Sequence, residues 1–183
     1  MSVILISGCI DNYVQKEPTI LEFGKPAIIN DVSVTFDSVR FADKIDDYTK
    51  ADNGYKFAII HVTAKNLGLE ETQFPFSSTG SSYMMNIVLS VNKGYKYKVF
   101  NSDYFFSIRP EDTETVDFEF EILKDTYPTE LYLERVKDTT DCLKAQRLWV
   151  SSLSIYPAEN IEGLKPECID KYTVSIQSTF TKG

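Results

Sequence analysis

The sequence predicts an all-β protein, an antiparallel β-sandwich of about 8–10 strands. Apolar and polar residues alternate along many short stretches, and β-branched and aromatic side chains supply most of the apolar positions. Turn-forming residues separate the stretches, and none of them sustains the helical repeat of about 3.6 residues. The chain has 183 residues, 43% of them hydrophobic and 13% aromatic, which suffices for one domain with a substantial core.

Three segments carry the strongest strand signals. Val32–Phe41 alternates regularly except for a slip at Ser38, where we predict a β-bulge. Tyr55–Ala64 has apolar residues at both odd and even positions, which is typical of a central strand covered on each face. Val116–Ile122 alternates most cleanly, so one of its faces should be core and the other solvent. The side chains expected to face water are Asp117, Glu119 and Glu121.

Weaker patterns predict the remaining strands. These are Ile20–Phe23, Tyr83–Val91, Tyr95–Phe100, Tyr104–Ile108, Leu131–Glu134, Leu148–Ile155 and Tyr172–Phe180. The sequence Asn92-Lys93-Gly94 predicts a tight hairpin turn in which Gly94 takes a positive φ. Further turns are expected at Asp52-Asn53-Gly54 and Asn66-Leu67-Gly68. Lys137–Cys168 is the least regular stretch, with a short helix expected around Asp141–Arg147.

The N-terminus carries a motif that indicates export. Ile6-Ser7-Gly8-Cys9 follows the apolar run Val3–Ile6 and looks like a lipobox, in which a peptidase cuts before a cysteine that then carries a lipid. The leader is short and lacks the basic residues of a secretory signal, which a start codon assigned too late would explain. The alternative is that Val3–Ile6 is a short strand and the motif arose by chance. We therefore expect residues 1–9 as a truncated signal, 10–19 as a flexible tether and 20–183 as a single domain.

The cysteine count agrees with this interpretation. If Cys9 is lipidated, Cys142 and Cys168 remain as a pair for a disulfide in an oxidising compartment. Such a bridge would stabilise the fold by about 3 kcal/mol in the chain-entropy model. In a cytosolic protein the same residues would instead be two independent buried thiols.

Charge and motif content exclude several function classes. A net charge of −8 repels phosphate backbones, so we expect no nucleic-acid partner. His61 is the only histidine, which argues against blue-copper and His-rich zinc sites, and we expect no metal and no cofactor. His61 lies mid-strand and the chain has no Gly-x-Ser-x-Gly motif, so we predict no catalytic residues.

Two acidic regions have open interpretations. The stretch Glu111–Glu121 contains no basic residue and is read as the solvated face of a strand, with a cation or a basic partner as the alternative. The loop Asp43–Asp52 offers carboxylates for Ca²⁺ but does not match the spacing of an EF-hand. A solvated loop is the simpler interpretation, and Ca²⁺ binding stays open.

An aromatic run is the best candidate for a contact surface. Between positions 95 and 106 the chain has more aromatic residues than one strand face can bury. The possible binding residues are Tyr95, Tyr97, Tyr104 and Phe106. The alternative is that most of these rings line the core.

The order of these features resembles the domain-of-unknown-function family 4352, a family of immunoglobulin-like sandwiches in secreted proteins and lipoproteins. Gly24-Lys25-Pro26 precedes a strand, and Gly54–Asn66 resembles the family strand that ends in an Asn and a Gly. Lys93–Tyr97 resembles its hairpin, while Arg109–Asp112 and Pro128–Leu133 resemble the turn and the last strand of the family. Asp112 stands where a glycine is usual. The resemblance implies fold and export, and supplies no catalytic residues.

Together these observations predict a non-enzymatic, exported protein held to the membrane through a lipid on Cys9. It would work as a binding or interaction module for a protein or small-molecule ligand. A second hypothesis is an enzyme-accessory or inhibitor domain that is secreted free after cleavage. A third is a cytosolic protein with an accidental lipobox.

Overall fold

Two β-sheets face each other across a shared apolar core in the computed structural model. The structure describes residues 17–74, 85–100, 106–136, 142 and 168–176. The strands within these residues are β1 Thr19–Glu22, β2 Ala27–Ile29, β3 Val32–Ala42, β4 Tyr55–Asn66, β5 Thr72–Phe74, β6 Met85–Val91, β7 Lys96–Lys98, β8 Phe106–Ile108, β9 Thr113–Leu123, β10 Pro128–Val136 and β11 Ile169–Ser175. In the ranges described, no helix is both long and apolar enough to cross a bilayer.

One sheet has five strands in the order β1-β11-β10-β6-β7, and the other has four in the order β2-β3-β4-β9. Strands β5 and β8 pair separately. Phe36 and Ile60 of the four-stranded sheet belong to the same buried cluster as Leu89 and Leu131 of the five-stranded sheet. The predicted β-sandwich is confirmed. It departs from a purely antiparallel arrangement where β1 runs parallel to β11.

Strand β4 is the centre of the four-stranded sheet, as its two-sided apolar pattern predicts. It pairs antiparallel with β3 on one side and with β9 on the other. Phe57, Ala58, Ile59 and Ile60 are all fully buried, so both faces of the strand are covered. Neighbouring residues of a strand point to opposite faces, which is why such a strand lacks alternation.

The predicted bulge and hairpin turn are both present. The register between β3 and β4 shifts between Phe36 and Ser38, which leaves Asp37 as the extra residue. The Asp37 carboxylate accepts a hydrogen bond from the Thr63 hydroxyl at 2.6 Å. In the turn between β6 and β7, Gly94 has a φ of 78°, a conformation that favours glycine.

Strand β9 corrects one expectation. Its apolar residues face the core as predicted, but its acidic face is not uniformly solvated. Glu119 is only 5% exposed, and the Glu121 carboxylate accepts a hydrogen bond from the backbone N–H of Asp52 at 2.6 Å. The backbone of Phe100 crosses this sheet edge and donates to the Glu119 carbonyl at 2.6 Å. The covering of this face comes from residues distant in sequence, which alternation within β9 does not reveal.

The sequence did not predict β2 and β5, because three residues are too few to establish a period. The expected strand Leu148–Ile155 lies outside the described residues. Of the helix expected around residues 141–147, the structure describes Cys142, which has helical backbone geometry.

Asn66 joins several connections at the end of β4. Its side-chain amide donates to the Glu70 carbonyl at 2.7 Å and to the Ile108 carbonyl at 2.9 Å. Its side-chain oxygen accepts from the Gly68 N–H at 2.8 Å. Asn66 is 1% exposed, so it cannot exchange these partners for bulk water. The side chain thereby holds the loop after β4 against β8.

Replacing Asn66 with alanine should lower the free energy of unfolding by about 2–4 kcal/mol, because it leaves buried backbone groups without hydrogen-bond partners. Urea denaturation measures this change. Asn92→Ala is the matched control, since the exposed Asn92 side chain accepts one hydrogen bond, from Tyr127 N–H. That control should cost about 0.5–1 kcal/mol. Equal losses in the two variants would contradict the central role of Asn66.

Candidate functional site

The predicted aromatic segment closes one edge of the sandwich. Its described part before residue 101 begins in the turn after β6, continues as β7 at the edge of the five-stranded sheet, and reaches Phe100 beside β9, and the run resumes at Phe106 in β8. The Val99 N–H donates to the Ile87 carbonyl at 3.3 Å, and the Phe100 N–H donates to the Glu119 carbonyl at 2.6 Å. Because these bonds reach different sheets, the segment joins the two layers of the fold.

Its side chains divide between core and surface. Tyr97 and Val99 pack against the core, whereas Tyr95 is 53% and Phe100 48% exposed. The Phe100 ring meets Phe57 edge to face, with ring centroids 5.1 Å apart. Part of the aromatic run therefore lines the core, as the alternative interpretation expected, and other rings stay exposed.

Of the four predicted binding residues, Tyr95 lies at the surface and Tyr97 is half-buried in β7. Strand β8 begins at Phe106, and Tyr104 lies outside the described residues. Their role in binding stays a prediction.

Three connections between strands meet at one end of the sandwich. They are residues 43–54 between β3 and β4, residues 92–95 between β6 and β7, and residues 124–127 between β9 and β10, which we together call the loop end. Asn92 N–H donates to the Tyr127 carbonyl at 3.1 Å, and Tyr127 N–H donates to the Asn92 side chain at 3.0 Å. Lys124 N–H donates to the Gly54 carbonyl at 3.0 Å. Backbone groups thus hold the connections against one another.

Each connection of the loop end presents one tyrosine. Tyr48 is 97% exposed, Tyr95 53% and Tyr127 39%. Tyr48 lies at the tip of a narrow ribbon that is closed by a bridge between Lys44 and Lys50. Tyr95 belongs to the predicted aromatic run, whereas Tyr48 and Tyr127 do not, and their position in turn-rich segments between strands was the available signal of exposure.

Ion pairs compensate the charges of the loop end. Three lysine–aspartate pairs occur there, namely Lys93–Asp125, Lys44–Asp47 at 2.9 Å and Lys124–Asp43 at 3.5 Å. The hydrogen bond between Lys93 and Asp125 lowers the pKa of the aspartate and raises the pKa of the lysine. All these pairs are exposed, so they contribute little to stability but balance the local charge.

Two carboxylates of the acidic loop Asp43–Asp52, those of Asp46 and Asp47, have partners within the loop. The Asp46 side chain accepts hydrogen bonds from the backbone N–H groups of Tyr48 and Thr49, both at 2.7 Å. These two bonds, the Tyr48 bond first, lower the pKa of Asp46. Within the described parts of the chain, no three His, Cys, Asp or Glu residues are grouped to hold a metal ion.

His61 belongs to a charged cluster on the outer face of the four-stranded sheet. Its Nδ1 lies 2.7 Å from one Asp117 oxygen, and the Arg40 guanidinium donates to the other at 3.0 Å. Burial alone would raise the pKa of Asp117, but the hydrogen bonds from His61 and Arg40 outweigh burial and lower it. The His61 side chain is 42% exposed, which agrees with the expectation of a histidine on a sheet face.

Cys142 and Cys168 form a disulfide, as predicted for an exported chain. Their Cα atoms are 5.3 Å apart, and the two residues are 7% and 5% exposed. Cys168 directly precedes β11, so the bond ties Cys142 to the five-stranded sheet. Cys9, the predicted lipidation site, lies outside the described residues.

The fold and the loop end define a β-sandwich domain that presents tyrosines on connected loops. The family described as Domain of unknown function (DUF4352) matches residues 21–136, more than half of the chain. The chain belongs to this family, which confirms the resemblance drawn from the residues. No curated protein sequence matches the chain significantly.

Solved structures similar to the chain share low sequence identity with it. An uncharacterized beta-sandwich protein from Clostridium difficile 630 is 17% identical, with a TM-score of 0.47 over 88% of this chain and 96% of that one. A conserved hypothetical protein from Bacillus anthracis is 15% identical, with a TM-score of 0.44 over 61% and 87%. A candidate lipoprotein, ycdA, from Bacillus subtilis is 13% identical, with a TM-score of 0.40 over 78% and 52%.

Asp117→Asn should lower the free energy of unfolding at neutral pH by less than about 1 kcal/mol, because the cluster is partly exposed. The folded-state pKa of Asp117 lies below the ordinary value of 3.8 for an aspartate. Its charge therefore stabilises the fold above that value, and the contribution disappears as the pH falls through the lowered pKa. Urea denaturation from neutral pH down to about pH 2.5 should show the two proteins converging below about pH 4.

The control for this prediction is Arg40→Gln, made alone and in the Asp117→Asn background. The Arg40 substitution should matter less once the carboxylate is gone, as a double-mutant cycle measures. A difference between wild type and Asp117→Asn that stays constant across pH would contradict the assignment.

Removing the disulfide by the paired substitution Cys142→Ser and Cys168→Ser should lower the free energy of unfolding by about 3 kcal/mol. Dithiothreitol should destabilise the wild type by a similar amount and leave the double variant unchanged. A wild type insensitive to reductant in urea would show that the bond is absent.

Proposed function

We propose that this protein is an exported, lipid-anchored β-sandwich that acts as a non-enzymatic binding module. The lipobox-like sequence Ile6-Ser7-Gly8-Cys9 supports the anchor, and the polar stretch that follows supports a tether between the membrane and the domain. The sandwich would then stand outside the cytoplasm, attached by its N-terminus.

The disulfide between Cys142 and Cys168 is the observation that carries the export proposal. Structural disulfides form and persist in oxidising compartments and are rare in the cytosol. The chain has three cysteines, so this bond leaves Cys9 as the thiol available for lipid. A disulfide between two of the three cysteines is not expected in a cytosolic protein.

Exposed aromatic rings support the binding role. Tyr95 and Phe100 retain about half of their surface in water, although burial of such rings is favourable. Tyrosine is enriched among the residues that contribute most to binding at protein interfaces, which supports a contact role for Tyr95. The membrane would be reached through lipid on Cys9, and the ligand through the domain.

Mass spectrometry of protein isolated from native membranes tests the anchor. We expect Cys9 to become the first residue and to carry a diacylglyceryl group, and Cys9→Ser to release the protein from the membrane fraction. Cys142→Ser serves as the control, because losing the disulfide should not remove the lipid.

Two outcomes would contradict the proposal. A chain that retains Met1, with Cys142 and Cys168 alkylated under denaturing, non-reducing conditions, would indicate a cytosolic protein. A chain released to the medium without lipid would instead favour the secreted accessory or inhibitor domain.

A further inference from the structure

We propose that the loop end binds a folded protein partner, with Tyr48, Tyr95 and Tyr127 as its anchoring side chains. The inference rests on the proposed binding function and goes beyond it by assigning the surface and the class of partner. It also adds two residues that the aromatic run of the sequence does not contain.

The first argument is the preorganisation of the tyrosines. Tyr127 exchanges two hydrogen bonds with Asn92, and Tyr95 closes the same turn by accepting from the Val91 N–H at 3.1 Å. The backbones that carry these two rings are therefore already ordered. A tyrosine on an ordered backbone has few torsions left to restrict, so it provides contact area at a low entropic cost.

The second argument is area. A tyrosine ring buries roughly 150–250 Å² when it is fully covered. With the exposed fractions given above, the three rings together offer on the order of 400 Å² of surface to a partner. A standard protein–protein interface takes about 800 Å² from each partner. The rings thus supply about half of such an interface, and the charged residues around them can supply the rim.

The third argument is charge. The three connections carry five aspartates and four lysines, so their charges nearly cancel although the whole chain carries −8. A nucleic acid or an anionic bilayer would need an excess of lysine or arginine here. A surface of aromatic rings within a balanced polar rim matches the anatomy of protein interfaces.

The fourth argument is shape. Tyr48 is 97% exposed at the tip of a ribbon whose two arms are joined by hydrogen bonds from Ile45 N–H to the Thr49 carbonyl and from Ala51 N–H to the Asp43 carbonyl, both 3.0 Å. On binding, a ring that projects in this way would enter a recess in the surface of the partner. Folded proteins offer such recesses, whereas an extended sugar chain stacks on flat aromatic platforms.

Site-specific photo-crosslinking on native cells tests the proposal. The probe is p-benzoyl-phenylalanine placed singly at positions 48, 95 and 127 of the full chain. The matched control is the same probe at Leu69, which is 96% exposed in the loop that follows β4, at the opposite end of that strand. We expect one and the same protein to be crosslinked from the three tyrosine positions and not from position 69.

The affinity of the crosslinked protein for variants of this chain is then measured. With the crosslinked protein purified, Tyr48→Ala and Tyr95→Ala should each weaken its affinity by about tenfold or more, and Leu69→Ala by less than about twofold. Tyr48→Ala is the safer variant, since a side chain this exposed contributes almost nothing to the core.

The outcomes separate this inference from the proposed function. Crosslinking from position 69 alone would leave the binding function intact and overturn the loop end as its surface. A polysaccharide adduct at the tyrosine positions would overturn the class of partner. Absence of any adduct at all four positions would count against both proposals.

Discussion

The hydrogen bonds of the buried Asn66 side chain are the interactions on which the arrangement of this fold depends most. One amide group holds the backbone of the loop after β4 and the end of β8, while the Asn66 N–H and carbonyl bond to Asp112 and Glu111 before β9. Burial makes these bonds obligatory, since an unpartnered carbonyl here has no water to replace the amide. In this chain, the placement of Asn66 and Gly68 at the end of β4 therefore has a structural cause.

The opposite end of β4 has a different character. There the connections are held by backbone hydrogen bonds and by exposed ion pairs, and their tyrosines point away from the core. Buried hydrogen bonds fix one end of the sandwich, and the loops at the other end can then present an ordered surface. This division between a structural end and a presenting end is common among sandwiches, whose loops cluster at the two ends of the sheets.

Features that arise within one strand could be predicted from the sequence, whereas features that arise from contacts between distant segments could not. The two-sided burial of β4 and the bulge after Phe36 follow from patterns within single strands, and both could be predicted. The burial of Glu119 could not, because it arises where the Phe100 segment crosses from the other sheet. The partnership of His61 with Asp117 and Arg40 likewise joins three strands.

The sequence by itself determined the sandwich class and indicated Cys142 and Cys168 as the pair for a disulfide, because the first follows from local periodicity and the second from a count of cysteines. Only the tertiary structure decided which aromatic rings face water and which distant turns adjoin. Register between strands sets those neighbours, and no short stretch of residues encodes it. The connections that carry Tyr48 and Tyr127 lie at the same end of the sandwich for this reason.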